Sequence, residues 1–375
     1  MKKIFILLIV LILGYAGYIW KTRPALITPY SYRILETGPL NIKKLNNNKK
    51  APIIIAGDKQ ARYFYEHAEQ LSEVISEGYD QNVNIALISD DNDGLHRTVA
   101  KILKYPFKPE VLILFTGSNA EQEKLFDFQD LNTIQNNIKI YEDSRVQTAL
   151  EFIPFIGKFF YKPFKVQELH ARTKLTTTSL KDEQIMLSSE VYYQFFKYEL
   201  IQLIEKLQDQ GTKVILVTTP LNYEVPPKRS CSISYDSKLR SDLKKIKRNI
   251  KAGDYKSVFA ELLMLKDLYP VNAEVHYYLG QTYLKIGKLK NAFKSLKLAA
   301  SLDCSKWRAT PVINNIIQRI GNDYETIVFD YDSYLNSFWG KGILFLDEIK
   351  PQDIYYEKVI KKMGRAIRSI TKGNR

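Results

Sequence analysis

The sequence predicts an α/β fold: a doubly wound parallel sheet, interrupted by an all-α insertion and preceded by an apolar N-terminal helix. Three observations carry this expectation. Five short runs, Ile53–Ala56, Val83–Ile88, Val111–Phe115, Val214–Thr218 and Ile327–Phe329, are apolar without polar alternation, the pattern of strands covered on both faces. Helical spacing fills stretches between them, over Gln60–Ser76, Leu95–Lys104 and Asp182–Gln208, so successive strands have the crossovers that parallel pairing needs. From about Lys238 to Lys306 a repeat of 34 residues belongs to neither pattern.

A chain of 375 residues, 45% apolar and 26% charged, buries a full core and suits one large domain or two modest ones. Intrinsic disorder is excluded by that composition. At the N-terminus, Lys2 and Lys3 precede the unbroken apolar run Ile4–Trp20, 17 residues long and at the lower limit for a bilayer span. The expectation is a single-pass transmembrane helix. A cleaved signal peptide is the alternative, because Gly14 and Ala16 are small at a suitable spacing. Lys2 and Lys3 favour an N-in orientation, so the rest of the chain is expected outside the cytoplasm, in the periplasm of a bacterial envelope. Pro24, Pro29, Gly38, Pro39 and the run Asn46–Lys50 mark 21–50 as a linker.

The net charge is +14. The cations are spread along the chain, without a zinc-ligand, RNP or basic-zipper pattern, so nucleic acid is not expected as a partner. A basic outer face suits anionic lipid or acidic envelope polymers instead. Cys231 and Cys304, the two cysteines, are too few for a disulfide framework and wrongly spaced for zinc. They form either one bridge, in an oxidising compartment, or two buried thiols. No cofactor or metal motif is found.

Within the α/β region, Ile138–Tyr141 suggests an edge strand, and the aromatic, proline-bearing segment Glu151–Phe164 either a buried helix pair or a lid. Gly211 is expected to stop the long helix. In the repeat, Leu279-Gly280, Tyr283, Gly287, Ala292, Leu296 and Ala299 resemble the tetratricopeptide pattern. Subtracting 34 maps Gly287 onto Gly253, Leu296 onto Leu262 and Cys304 onto Pro270. Two copies are fewer than a free-standing solenoid needs, so the pair is expected to pack on the α/β domain. The expected organisation is anchor or signal 1–20, linker 21–50, α/β domain 51–237, helical repeats 238–306, and 307–375 with the last strand and C-terminal helix.

The first strand ends in Ile55-Ala56-Gly57-Asp58-Lys59, the third in Thr116-Gly117-Ser118-Asn119, and a late stretch reads Phe345-Leu346-Asp347-Glu348-Ile349-Lys350-Pro351. In this order and strand context they resemble the SGNH (GDSL-type) hydrolase family. That resemblance implies a flavodoxin-like sheet with its site at the carboxyl edge. In the family a serine nucleophile follows Gly-Asp, a glycine and an asparagine build the oxyanion hole, and a late D-x-x-H supplies orienter and base. Gly57-Asp58, Gly94, Asn119 and Asp347 stand at matching positions. Lys59 stands where the serine belongs and Lys350 where the histidine belongs.

An unperturbed lysine is protonated at neutral pH and replaces neither an activated hydroxyl nor a base near neutrality. The expectation is a catalytically degenerate protein that binds an envelope glycan or a protein partner, the latter on the repeats. The alternative is an active esterase or O-acyltransferase on envelope carbohydrate that uses Asp58, His96 and Asp347 around Asn119. A structural interaction module is the third reading. His67, His170 and His276, with Ser188-Ser189-Glu190, show no spacing that rebuilds a triad or a metal site. Thr218–Asn222 follows a strand and lies at the same edge, where capping duties account for it equally well.

Overall fold

A computed structural model of the chain describes residues 2–22, 32–35, 51–77, 82–90, 93–118, 145, 167–170, 182–231, 237–305 and 307–372. In chain order the elements begin α1 (Lys2–Thr22), β1 (Tyr32–Leu35), β2 (Ile53–Gly57), α2 (Lys59–Tyr65), α3 (Ala68–Ser76), β3 (Ile85–Ser89), α4 (Leu95–Lys104) and β4 (Val111–Phe115). They continue β5 (Gln167–His170), α5 (Asp182–Asp209), β6 (Lys213–Val217), α6 (Ser237–Lys251), α7 (Tyr255–Leu268), α8 (Ala273–Lys285) and α9 (Leu289–Leu302). The last are α10 (Pro311–Asp323), β7 (Ile327–Phe329), α11 (Tyr331–Asn336) and α12 (Asp353–Lys372). These fall into two compact units, Met1–Thr37 with Leu125–Arg172, and Gly38–Lys124 with Thr173–Arg375.

The first unit holds α1 and a two-stranded parallel sheet, β1 with β5, in register from Tyr32↔Gln167 to Leu35↔His170. Neither strand was expected: β1 lies inside the proline-bearing spacer. The N-terminal helix forms, but among the described residues no helix is long and apolar enough to cross a membrane. Ile138–Tyr141 and Glu151–Phe164 lie outside the described residues.

The second unit is built on a five-stranded sheet, order β3-β2-β4-β6-β7, with every pair parallel. Numbered along the chain this is the 2-1-3-4-5 order of flavodoxin-like doubly wound sheets. Ile53, Ile55, Ile113, Phe115, Ile215 and Val217 face one core, with Phe64, Leu71, Tyr356 and Met363 from the helices. Their neighbours Ile54, Ala56, Leu112, Leu114 and Leu216 are equally buried. Both faces are therefore covered, which explains the unbroken β-branched runs. The helix expected over Gln60–Ser76 is two helices, α2 and α3, separated at Glu66 and His67. Gly211 takes φ +77 just after α5, the left-handed conformation that ends a helix.

Between β6 and α10 stand four consecutive helices, α6 to α9. Gly253 and Gly287, 34 residues apart in sequence, turn the chain between helices at φ 83 and 78. At Gly280 a Cβ would meet Leu296 Cγ at 2.7 Å, so that α8–α9 contact admits only glycine without displacement; its counterpart 34 residues earlier is Ile246. His276 is buried, and its Nε2 lies 2.7 Å from the Pro270 carbonyl oxygen. It fills a core position.

The two cysteines form a disulfide with Cα atoms 5.8 Å apart and a sequence separation of 73. Around it, Ser230 bridges Asp303, and the Cys304 amide donates to the Arg229 carbonyl at 3.1 Å. The Asp303 carboxylate also accepts from the amides of Lys228, Arg229 and Ser305 and from Trp307 Nε1. The helical insertion thus leaves and re-enters the domain at one place. Leu296 and Ala300 pack with Leu221 and Tyr223, and the Phe293 ring meets Tyr223 edge-on at 5.2 Å.

Candidate functional site

The carboxyl edge of the sheet gathers the residues that the sequence singles out. β2 ends at Gly57 with φ +139, and a Cβ there would lie 1.7 Å from the Phe115 carbonyl oxygen. Only glycine lets the two strand ends come this close. The chain then turns into α2 with Asp58 as its N-cap, the Asp58 amide donating to the Phe115 carbonyl at 3.2 Å.

Asp58 is 1% exposed. Its Oδ1 accepts from the Gln60 amide at 2.9 Å, and its Oδ2 from the Ser118 amide at 2.7 Å. Ser89 Oγ donates to the Asp58 carbonyl at 2.9 Å. One residue therefore ties together the ends of β2, β3 and β4. Both carboxylate oxygens thus hold backbone amides.

Lys59, the first residue of α2, is half-buried. Beside it Gln60, 1% exposed, reaches across with Nε2 to the Ile349 carbonyl at 2.9 Å. The turn after β2 and the 347–350 loop therefore meet. In that loop, exposed Asp347 uses Oδ1 to accept from the amides of Ile349 and Lys350, at 2.7 and 2.6 Å. Lys350 Nζ pairs with Glu66 Oε2 at 3.1 Å and lies 5.0 Å over the Tyr63 ring. The hydrogen bond that Nζ donates to Glu66 is the main reason that its pKa is raised. The group at the expected base position is therefore a fixed cation.

His96 does not join Asp58 or Asp347 in the described contacts. Its Nδ1 lies 2.5 Å from Oε1 of Glu199 on α5, with both side chains mostly buried. Gly94 is the N-cap of α4 in extended conformation, its carbonyl accepting from the Thr98 amide at 3.1 Å. An ionic cluster holds this turn: Lys101 Nζ is 2.5 Å from both Asp90 and Asp93, and Arg97 reaches Asp93 at 3.3 Å. Asn119 lies outside the described residues.

A second network at the same edge went unnoticed in the sequence. Asp332, 5% exposed, accepts from the Leu221 amide at 2.9 Å, Tyr223 Oη at 2.7 Å and Asn336 Nδ2 at 2.9 Å. Burial pushes its pKa up to about 6 against those hydrogen bonds. Thr218 Oγ1 donates to Asp330 at 2.9 Å, and Asn314 holds both backbone groups of Thr219 at 2.8 Å. The Thr218–Asn222 stretch is thereby committed to holding the loop. The available signal was the Asp-Tyr-Asp placed directly after β7.

Three buried polar atoms at this edge, Gln60 Oε1, Thr116 Oγ1 and Ser118 Oγ, have no hydrogen-bond partner among the described residues. Leaving such atoms unpaired is costly. Among the described residues no cluster of His, Cys, Asp and Glu is arranged for a metal ion. A cavity of about 250 Å³ lined by Gln208, Thr212, Glu325 and Thr326 opens instead at the amino edge, away from these groups.

No family model matches the sequence, and no curated protein matches it. Among solved structures, a lipase/acylhydrolase from Enterococcus faecalis aligns over 84% of this chain and 95% of its own, with 11% identity and a TM-score of 0.36. A superposition that loose says nothing about what this chain does.

Proposed function

We propose that this chain is an SGNH-hydrolase-like protein of the bacterial cell envelope that has lost hydrolysis and acts by binding. The observation that carries the reading is at the two chemical positions. Lys59 opens α2 where the nucleophile belongs, and Lys350 is fixed as a cation by Glu66 at 3.1 Å. Asp58 and Asp347 spend carboxylate oxygens on backbone amides. The orphaned Gln60 Oε1, Thr116 Oγ1 and Ser118 Oγ supply polar contacts for a ligand at the edge where such sheets bind them.

In this reading residues 238–306 are a tetratricopeptide pair that offers a surface to a protein partner, and 51–237 with 307–375 form the hydrolase-like domain. The N-terminal segment 1–20 directs export and attaches the protein to the membrane, with its flanking lysines drawn to the interface and the bilayer thinned to meet a short apolar run. The disulfide supports an extracytoplasmic location, because such bridges persist in oxidising compartments.

The contrary reading is an esterase or O-acyltransferase on envelope carbohydrate. The His96–Glu199 pair favours it, since a carboxylate on Nδ1 is how a catalytic imidazole is oriented. The test is hydrolysis of a short-chain aryl acetate by the full chain, beside His96→Ala, Asn119→Ala and Asp347→Ala variants. No turnover above buffer is the expected result. Turnover that these substitutions abolish would overturn the binding reading.

A further inference from the structure

We infer that the outer face of α6 is a docking strip for a linear acidic polysaccharide carrying one negative charge per sugar. Between Ser237 and Ser305, fourteen Lys and Arg stand against six Asp and Glu, so this insertion holds most of the chain's surplus of positive charge. α6 alone carries seven cations and a single carboxylate, Asp242.

The cations are not scattered around the helix. Leu239, Leu243 and Ile246 are buried against α7 and α8, which fixes the helix's rotation. Arg240, Lys244, Arg248 and Lys251 are exposed and fall within about 100° of arc at 3.6 residues per turn. Asp242 projects from the far side of that arc. Lys245 and Lys247, beside the strip, are matched by Glu261 and Glu274 of neighbouring helices at 3.4 and 2.9 Å. Lys244, Arg248 and Lys251 form no ion pair among the described residues. Like charges at i, i+4, as at Lys244 and Arg248, weaken a helix, and a polyanion laid along the strip would offset that repulsion.

The spacing selects the partner. From residue 240 to 251 the helix rises about 16 Å, placing cations about 5–6 Å apart. A nucleic-acid duplex carries one charge per about 1.7 Å of its axis, which is denser than this row, and the strip has no aromatic side chain on which a single strand would stack its bases. A flat anionic membrane asks for a broad basic surface, whereas one helix edge offers a line. A chain of acidic sugars supplies separated charges along a line. This strip lies on a different element from the sheet edge and stands whether or not the chain hydrolyses esters.

The test is anisotropy of fluorescently labelled polygalacturonate titrated with the full chain in mild detergent, at low and at physiological salt. Saturable binding that weakens with salt is expected. It should fall about tenfold in Lys244→Gln/Arg248→Gln/Lys251→Gln, persist in Lys244→Arg/Lys251→Arg, and be unchanged in Lys358→Gln/Lys361→Gln on α12. Thermal unfolding of each variant checks that the fold is kept, and Arg248→Gln alone is read if the triple variant does not fold. Equal binding by the Gln variants, or none by the parent chain, would overturn the inference. So would tighter binding of a single-stranded DNA oligonucleotide or of phosphatidylglycerol vesicles through the same three cations.

Discussion

Replacing both bridge cysteines, as Cys231→Ser/Cys304→Ser, removes a cross-link that closes a span of 73 residues. The loop-entropy relation gives about 4 kcal/mol for a closure of that length, against a total stability of order 5–15 kcal/mol for ordinary domains. The folded state should change little. Asp303 still gathers the amides of Lys228, Arg229 and Ser305, and the Cys304 amide still donates to Arg229. The loss therefore falls on the unfolded chain, which gains freedom. Urea unfolding followed by tryptophan fluorescence suits the question, because Trp307 sits at the junction with Nε1 on Asp303 and Lys228 Nζ 3.7 Å from its ring centroid. The expected outcome is a midpoint shift worth about 4 kcal/mol with near-native spectra in the absence of urea. A loss below about 1 kcal/mol would refute the closure argument, and so would alkylation of both thiols without prior reduction.

Three further outcomes are expected. Gly57→Ala forces a Cβ into the Phe115 carbonyl at a φ of +139; it should cost about 3 kcal/mol or more, read as a lowered Tm, and a neutral result would contradict the strand contact. Asp332, with its pKa raised to about 6, binds its proton more tightly folded than unfolded. Its contribution is full below about pH 4 and is lost as pH rises through about 6, roughly 3 kcal/mol in all. Asp332→Asn should flatten that part of the stability profile, and an unchanged slope would assign it to other groups. Gln60→Ala removes the Nε2 bond to Ile349; it should cost about 1 kcal/mol and speed amide hydrogen exchange across 346–352, which equal exchange rates would disprove.

The sheet was legible because burial on both faces leaves a strand nothing but β-branched and apolar residues, as in Val111–Phe115. The helix Leu95–Lys104 was equally plain, since its apolar side chains recur at helical spacing and Gly94 opens it. β1 and β5 were not legible: Tyr-Arg-Ile-Leu and Gln-Glu-Leu-His carry weak patterns and become strands by pairing with each other across a long stretch of chain. At the sheet edge, Gly57, Asp58 and the 347–350 loop stand out by their order along the chain. Their roles do not, because what a carboxylate does depends on which amides face it. His96 shows the same limit, its partner Glu199 lying 103 residues away. The charge row on α6 was visible only as composition until the buried Leu239, Leu243 and Ile246 fixed which way the helix turns.

The 5.8 Å between the Cα atoms of Cys231 and Cys304 makes the four-helix stretch a removable cassette. About two residues of extended chain bridge such a gap, so a short splice rejoins β6 to α10 while every strand keeps its neighbour. What the splice takes away is the roof over Leu221 and Tyr223, which α9 supplies through Phe293 and Leu296. The edge and its roof are thus encoded on separable lengths of gene. Deleting the roof would leave the strand order intact and bare Leu221 and Tyr223, so a shortened chain would need polar side chains at those two positions.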